Sequence, residues 1–306
     1  MKNYPFDSPG KFFRGNLHAH SNNSDGVLNP KELCQRYRSA GYDFVSITDH
    51  MVGMYGYPIT DTRPLRDKMF TTLLGAELHT GAMANGEIWH LLAVGLPLDF
   101  KRPKSPNFSP NKGQESGNDL AIRAVEAGAF VALAHPQWSG LTLEDAMGIS
   151  GAHAVEVYNH GCAVDCDRPD GFAIFDLLLS KNRNLTAIAT DDSHFKSRDY
   201  FGGWVMVKAE QNRPELLLDA LKRGSFYSSQ GPQIYDIDVS KKEVAVRCSP
   251  VSTVIVQGEG TATTCTHGAR ITAASLPLGR CNDSNWIRIT IVDSKGKRAW
   301  TNPYWL

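Results

Sequence analysis

Two histidines one residue apart, His18 and His20, stand at the end of a short apolar run near the start of the chain. On an extended strand, residues two apart point to the same side, so both imidazoles can face one metal ion. A single pair is weak evidence in a chain with 10 histidines. The pattern recurs where other apolar runs end. Asp25 follows closely on His20, and later runs lead into Asp49 and His50, into Glu77, into His135, and into Asp191, Asp192 and His194. His90 differs, because it opens its apolar run. Taken singly, each has a bland reading: His50 as a helix cap, Glu77 as a surface carboxylate, His135 as a strand end before Pro136, Asp191 as a turn cap. Taken together, a structural account needs a separate partner for every polar group, whereas a shared metal centre satisfies them all. Nitrogen and oxygen donors without thiolate suit zinc, manganese or iron.

Such a centre needs elements that bring distant residues to one place. From Gly15 to about Tyr227 the sequence alternates short apolar runs with helical stretches, which predicts α/β architecture. The predicted strands are residues 15–20, 44–48, 72–77, 89–94, 130–134, 154–158, 185–190 and 204–207. Strand ends on one side of a parallel barrel or sheet converge, so the residues above would line one pocket. A helix is marked by Asn29 as N-cap, Pro30 in the first turn, Glu32 for a capping box, an apolar face of Leu33, Cys34 and Tyr37, and Gly41 as stop. Residues 97–117, rich in Pro, Lys, Asn, Ser and Gly, read as a surface loop of the kind that covers sites.

After Gly224 the character changes. Residues 225–230 read as polar, Gly231 and Pro232 punctuate, and strand-like alternation follows through Ile234, Ile237, Val239, Val244, Val246, Val254, Ile255, Val256, Ile287, Ile289 and Ile291. That predicts a small antiparallel β unit. We divide the chain at 1–231 and 232–306.

At 306 residues, 42% hydrophobic and 21% charged, the chain can build a substantial core and is not of disordered composition. Lys+Arg and Asp+Glu both count 32, so no basic excess points to long nucleic acid or anionic membrane. Residues 1–14 lack the apolar core of a signal peptide and no run is long enough to span a bilayer, which makes the cytoplasm the default expectation. The six cysteines are scattered, and reduced structural thiols are the reading we prefer.

In order along the chain, "GNLHAHSNNSDG", "SITDH", "GAELH", "HLLAVG", "ALAHP" and "ATDDSH" resemble the motif set of the polymerase-and-histidinol-phosphatase (PHP) superfamily of metallophosphoesterases. The resemblance covers roughly Gly15 to Pro232. The ending, "SFYSSQGPQIYDIDV" through "GKRAWTNPYWL", further resembles the branch that includes carbaryl hydrolase, a carbamate-cleaving enzyme.

The resemblance implies a distorted seven-stranded (β/α) barrel of PHP type, with two or three divalent metals in its mouth. His18, His20, Glu77 and Asp192 would hold one metal. Glu77, bridging, with His90 and His135 would hold a second, and Asp25, His50 and His194 a third. Asp25 stands where many relatives carry histidine. A metal-bridging hydroxide would then attack phosphorus, with Glu77 and Asp192 as bridging or orienting ligands. For substrate we single out Arg168, Lys196 and Arg198, cations placed just after strand ends, and Asn159 with Glu156 and Tyr158 as pocket lining. His79, His153, His160 and His267 have no motif behind them and read as structural.

The expected activity is a phosphoesterase on a small organic phosphate, a nucleotide or sugar phosphate. The alternative is a carbamate, ester or amide hydrolase with the same centre. A non-catalytic metal-stabilised binding protein fits less well, because structural zinc sites are usually closed and cysteine-rich.

Overall fold

A computed structural model describes residues 5–306; residues 1–4 of the stretch read for a leader lie outside it. Strands form at or beside the eight predicted runs, with one short strand in addition: β1 (Lys11–Asn16), β2 (Phe44–Ile47), the added β3 (His50–Met51), β4 (Thr71–Ala82), β5 (Ile88–Val94), β6 (Phe130–Leu133), β7 (Ala154–Asn159), β8 (Thr186–Thr190) and β9 (Trp204–Ala209). Every residue of β2 and β6 is buried, as strands covered on both faces require. Helices α1 (Pro30–Ser39), α2 (Gly117–Glu126), α3 (Pro136–Ser139), α4 (Leu143–Gly148), α5 (His160–Asp165), α6 (Phe172–Ser180) and α7 (Pro214–Lys222) fall between or after them. In α1 the Asn29 and Glu32 capping box forms, and Leu33, Cys34 and Tyr37 are its buried face.

The strands form a curved sheet. β1, β2 and β4 are parallel neighbours, as are β6, β7 and β8. Between these two sets β5 runs against both of its partners, β4 and β6. Seven strands thus make the wall, six pointing their carboxyl ends to one mouth and β5 its amino end. β9 pairs antiparallel with β1 on the other side. No ladder among the described residues joins β8 to β9. The seam is closed through β10 (Phe226–Ser229), where the Ser228 hydroxyl accepts from the Ala189 amide at 3.0 Å and donates to the Ala187 carbonyl at 2.8 Å. At Gly15 an added Cβ would lie 2.0 Å from the Phe44 ring, so only a glycine lets β1 and β2 close over that ring.

The C-terminal strands are β11 (Ile234–Val239), β12 (Glu243–Gln257), β13 (Thr263–Pro277), β14 (Trp286–Val292), β15 (Arg298–Thr301) and β16 (Tyr304–Trp305). All pair antiparallel, and β15 lies on β10, which makes their sheet continuous with the wall. Their apolar residues form a cluster of their own, but Trp286 is buried in the core of the seven-stranded part. Arg288 makes a bidentate ion pair with Asp176 of α6, at 2.9 and 2.8 Å.

Three expectations need correction. β1 ends at Asn16, so His18 and His20 lie beyond the regular strand; the chain stays extended there because Ala19 bridges to Ser193. The segment read as polar contains β10, whose four residues are all buried, its serines hydrogen-bonded. β13 lies in the segment expected to be antiparallel β but held none of the apolar positions singled out; among the described residues it pairs with β12 alone, and its side chains are mostly exposed. No helix among the described residues is long and apolar enough to cross a membrane. All six cysteines are free.

Candidate metal centre

The wall delivers its polar residues to the mouth. His18 and His20 follow β1, His50 begins β3, Glu77 lies within β4, His135 follows β6, and Asp192 and His194 follow β8. His90 joins them because β5 runs the opposite way, so the start of that strand sits where the others end.

Glu77 is the hub. One oxygen, Oε1, lies 2.8 Å from His90 Nδ1 and 3.0 Å from His135 Nε2. The other, Oε2, lies 2.7 Å from His50 Nδ1 and 3.6 Å from Nε2 of both His18 and His20. Asp192 Oδ1 stands 3.2 Å from His18 Nε2 and 3.0 Å from His20 Nε2. A second focus is Asp25 Oδ1, ringed by His194 Nε2 at 3.3 Å, His50 Nε2 at 3.4 Å and His20 Nδ1 at 4.0 Å. All nine residues singled out as donors therefore meet in one cluster.

Neighbours hold these donors in place. Glu156, fully buried, accepts from His18 Nδ1 at 2.9 Å, from the His135 amide at 2.6 Å and from the Thr190 hydroxyl. Asn159 donates to Glu156 at 3.0 Å and to Asp192 at 3.1 Å, while its carbonyl oxygen caps α5. Asp191 accepts from the Tyr37 hydroxyl and from the amides of Phe201, Gly202 and Gly203. His135 and Asp192 both take positive φ, 27° and 54°, a strained backbone that the surrounding packing maintains.

The electrostatics divide the histidines: burial and neighbouring imidazoles push the pKa of His20 down to about 4 and also lower that of His90, while carboxylates raise others. Burial disfavours a charged His18, yet Asp192 and Glu156 raise its pKa well above the usual imidazole value. His50 is likewise pushed up to about 10 against its burial, by Glu77 and Asp25. Burial opposes the Glu77 carboxylate, but His50 and His90 hold its pKa well below the ordinary range.

Divalent metal ions fit this donor set. His18 Nε2, His20 Nδ1 and Asp25 Oδ1 are buried with no hydrogen-bond partner, which is costly unless something else occupies the space between them. Metal–nitrogen bonds of about 2.0–2.1 Å place tetrahedral ligand atoms roughly 3.3 Å apart. The spacings around Asp25 and Asp192 are of that size.

Over the cluster opens a cavity of about 540 Å³. Seven of the nine cluster residues, Asp25, His50, Glu77, His90, His135, Asp192 and His194, line it; Phe108, Trp138 and Ile88 are its apolar members, and Glu87, Asp165, Cys162 and Cys166 stand among the rest. The loop expected to cover the site does reach it. Ser105 anchors that loop by donating to the His79 carbonyl at 2.6 Å, and Phe108 sits 4.9 Å from the His50 ring.

The substrate residues chosen from sequence fall elsewhere. Arg168 and Arg198 are exposed and do not line the cavity, and Lys196, also exposed, pairs at 3.0 Å with Asp25 of the lining without lining the cavity itself. Asn159 is buried with its amide fully engaged, and Glu156 is turned to His18. Tyr158 bonds His160 instead of facing the cavity. Conversely, His79, read as structural, is buried in the cluster with Nε2 3.0 Å from His50 Nδ1. Its alternation with Glu77 on one strand repeats the spacing of His18 and His20, and that was the available signal.

No protein-family model and no curated protein matches the chain. Solved structures do. A two-domain protein containing a predicted PHP-like metal-dependent phosphoesterase, from Bacteroides vulgatus, aligns with TM-score 0.55 at 17% identity, over 100% of this chain and 99% of that one. A structure from Bifidobacterium adolescentis, described as a metal-dependent phosphoesterase, aligns over 60% of this chain and 88% of its own at 16% identity and TM-score 0.44. An amidohydrolase from Chromobacterium violaceum, with bound sulfate and no metal, aligns over 60% of this chain and 89% of its own at 17% identity and TM-score 0.40. The first match speaks for the fold: this chain has the mixed α/β architecture of a two-domain PHP-like protein, with C-terminal antiparallel strands.

Proposed function

We propose that the chain is a metal-dependent hydrolase that cleaves a small organic phosphoester, a nucleotide or sugar phosphate being the first classes to try. The observation that carries the reading is the convergence of nine nitrogen and oxygen donors, several buried and unpartnered, at the floor of an open cavity. His18, His20, Glu77 and Asp192 would hold one ion; Glu77, His90 and His135 a second; Asp25, His50 and His194 a third. Divalent ions there supply a nucleophile from water at neutral pH and offset charge on phosphoryl oxygens.

The chain's own residues supply position. Glu77 offers its two oxygens to different histidines and so sets the spacing of the donor groups. Glu156 fixes the ring of His18, and Asn159 fixes Asp192. A second reading, hydrolysis of a carbamate, ester or amide, is favoured by the apolar members of the cavity lining and by the lack of any lysine or arginine among the described lining residues. Both readings expect a small-molecule substrate and a cytoplasmic setting.

The test is purified protein loaded with zinc, manganese or iron and assayed on panels of phosphoesters and aryl carbamates, with elemental analysis of metal per chain. Phosphate release supports the first reading. Turnover of carbamates alone removes it in favour of the second, and a chain that binds no metal removes both.

A further inference from the structure

The cavity's lining is mixed in chemistry. Phe108 and Trp138 stand directly beside the donor cluster. The Trp138 ring lies 4.8 Å from that of His135 and 5.4 Å from that of His90, while Phe108 lies 4.9 Å from His50. Phe108 is within 7° of parallel to His90, and Trp138 is at 77° to it, so the planes of phenyl and indole stand nearly perpendicular on either contact of the His90 ring. Trp138 is 44% exposed, a large apolar surface that nothing else in the described chain covers. Glu87 and Asp165 also line the cavity, carboxylates without an ion pair among the described residues, and no lysine or arginine is part of the described lining.

We infer that the preferred substrates are aryl phosphate monoesters, whose ring is attached directly through the ester oxygen, stacked on one of these two aromatic faces and edge-on to the other. The inference rests on the phosphoester reading and names its substrate class. Two physical arguments support it. Aromatic rings gain from offset stacking and from edge-to-face contact, and the corner offers both at once. The aromatic surface begins next to the His90 and His135 rings, so a ring one oxygen from phosphorus reaches it, whereas a base held off by a sugar is carried away from that first contact. The Glu87 and Asp165 carboxylates also repel a leaving group that bears further phosphates or carboxylates. In the reaction, water adds to phosphorus, the bond from phosphorus to the aryl oxygen breaks, and one proton of the water passes to the aryloxide, giving a phenol and inorganic phosphate.

The experiment separates binding from leaving-group reactivity by using phosphonates that cannot be hydrolysed. Metal-loaded protein is titrated calorimetrically with phenylphosphonate and methylphosphonate, and phosphate release is followed from phenyl phosphate, glycerol phosphate and a nucleoside triphosphate. We expect phenylphosphonate to bind roughly tenfold more tightly, and Trp138→Leu and Phe108→Leu, which keep apolar bulk without the ring, each to shrink that ratio severalfold. Melting temperature reports that both variants are folded. Equal affinities for the two phosphonates, or a ratio that survives in both folded variants, overturns the inference while phosphate release from the other esters leaves the phosphoesterase reading standing. Release from no ester and binding of neither phosphonate overturns both together.

Discussion

Glu156 touches no part of the cavity, yet it is held between His18, the His135 amide and Asn159, so the direction of two donor residues depends on it. Carboxylates that orient a ligating histidine are commonly worth 10–100-fold in metal affinity. We therefore expect Glu156→Gln to remain folded and to bind metal roughly 10–100-fold more weakly. Competition against a chelating dye measures this, and wild-type affinity would refute the role. Replacing both His18 and His20 by alanine should abolish hydrolysis and lower bound metal while the circular dichroism stays native; full activity would contradict the assigned floor of the cavity. At this scale residue type and spacing carried much of the cluster, because side chains on alternating strand positions share a face. They did not separate donors from supporters. Asp191 and Asp192 are adjacent and alike in sequence, and only the fold turns one toward His20 and the other toward Tyr37 and three backbone amides. Arg168, Lys196 and Arg198 were singled out for charge and for following strand ends, and neither says which side of a loop faces inward.

Among the elements, the connection from β8 to β9 depends most on one side chain. Burial pushes the Asp191 carboxyl up to about 6 even though four donors converge on it. Asp191→Ala would leave the buried amides of Gly202 and Gly203 without their acceptor. Since each unsatisfied buried group costs about 1–3 kcal/mol, we expect a loss of roughly 3 kcal/mol or more in urea denaturation. A loss well under 1 kcal/mol would show that the loop is held by other means. Helix α1 was legible to its cap, since Asn29, Pro30 and Glu32 act locally. The eight buried runs were legible as strands, but their directions were not, because an apolar run reads the same both ways. That is why His90 looked misplaced until β5 proved to be reversed. β10 was missed because its buried serines look like loop residues, and β13 because a strand exposed on most of its length lacks apolar alternation.

For the molecule as a whole, residues after Pro232 are built into the seven-stranded part. Trp286 fills its core, Arg288 pairs with Asp176, and Asn302 receives the Ala187 amide and donates to the carbonyls of Gly224 and Phe226. Cutting the chain there would strip β10 of its β15 partner and open the core at Trp286. We expect the truncated protein to be insoluble on expression; a soluble, fully active fragment would show that the wall stands alone. The strand that the sequence hid has a consequence of its own. β13 offers fifteen residues whose outward edge meets no further strand among the described residues, and Arg270 is its one permanent charge. Natural sheets usually protect such a border with lysines, prolines or a kink. Here the ladder to β12 carries two register shifts and the strand ends in Pro277, which interrupt the border, and we expect a lysine introduced midway along β13 to lower any concentration-dependent association seen by light scattering.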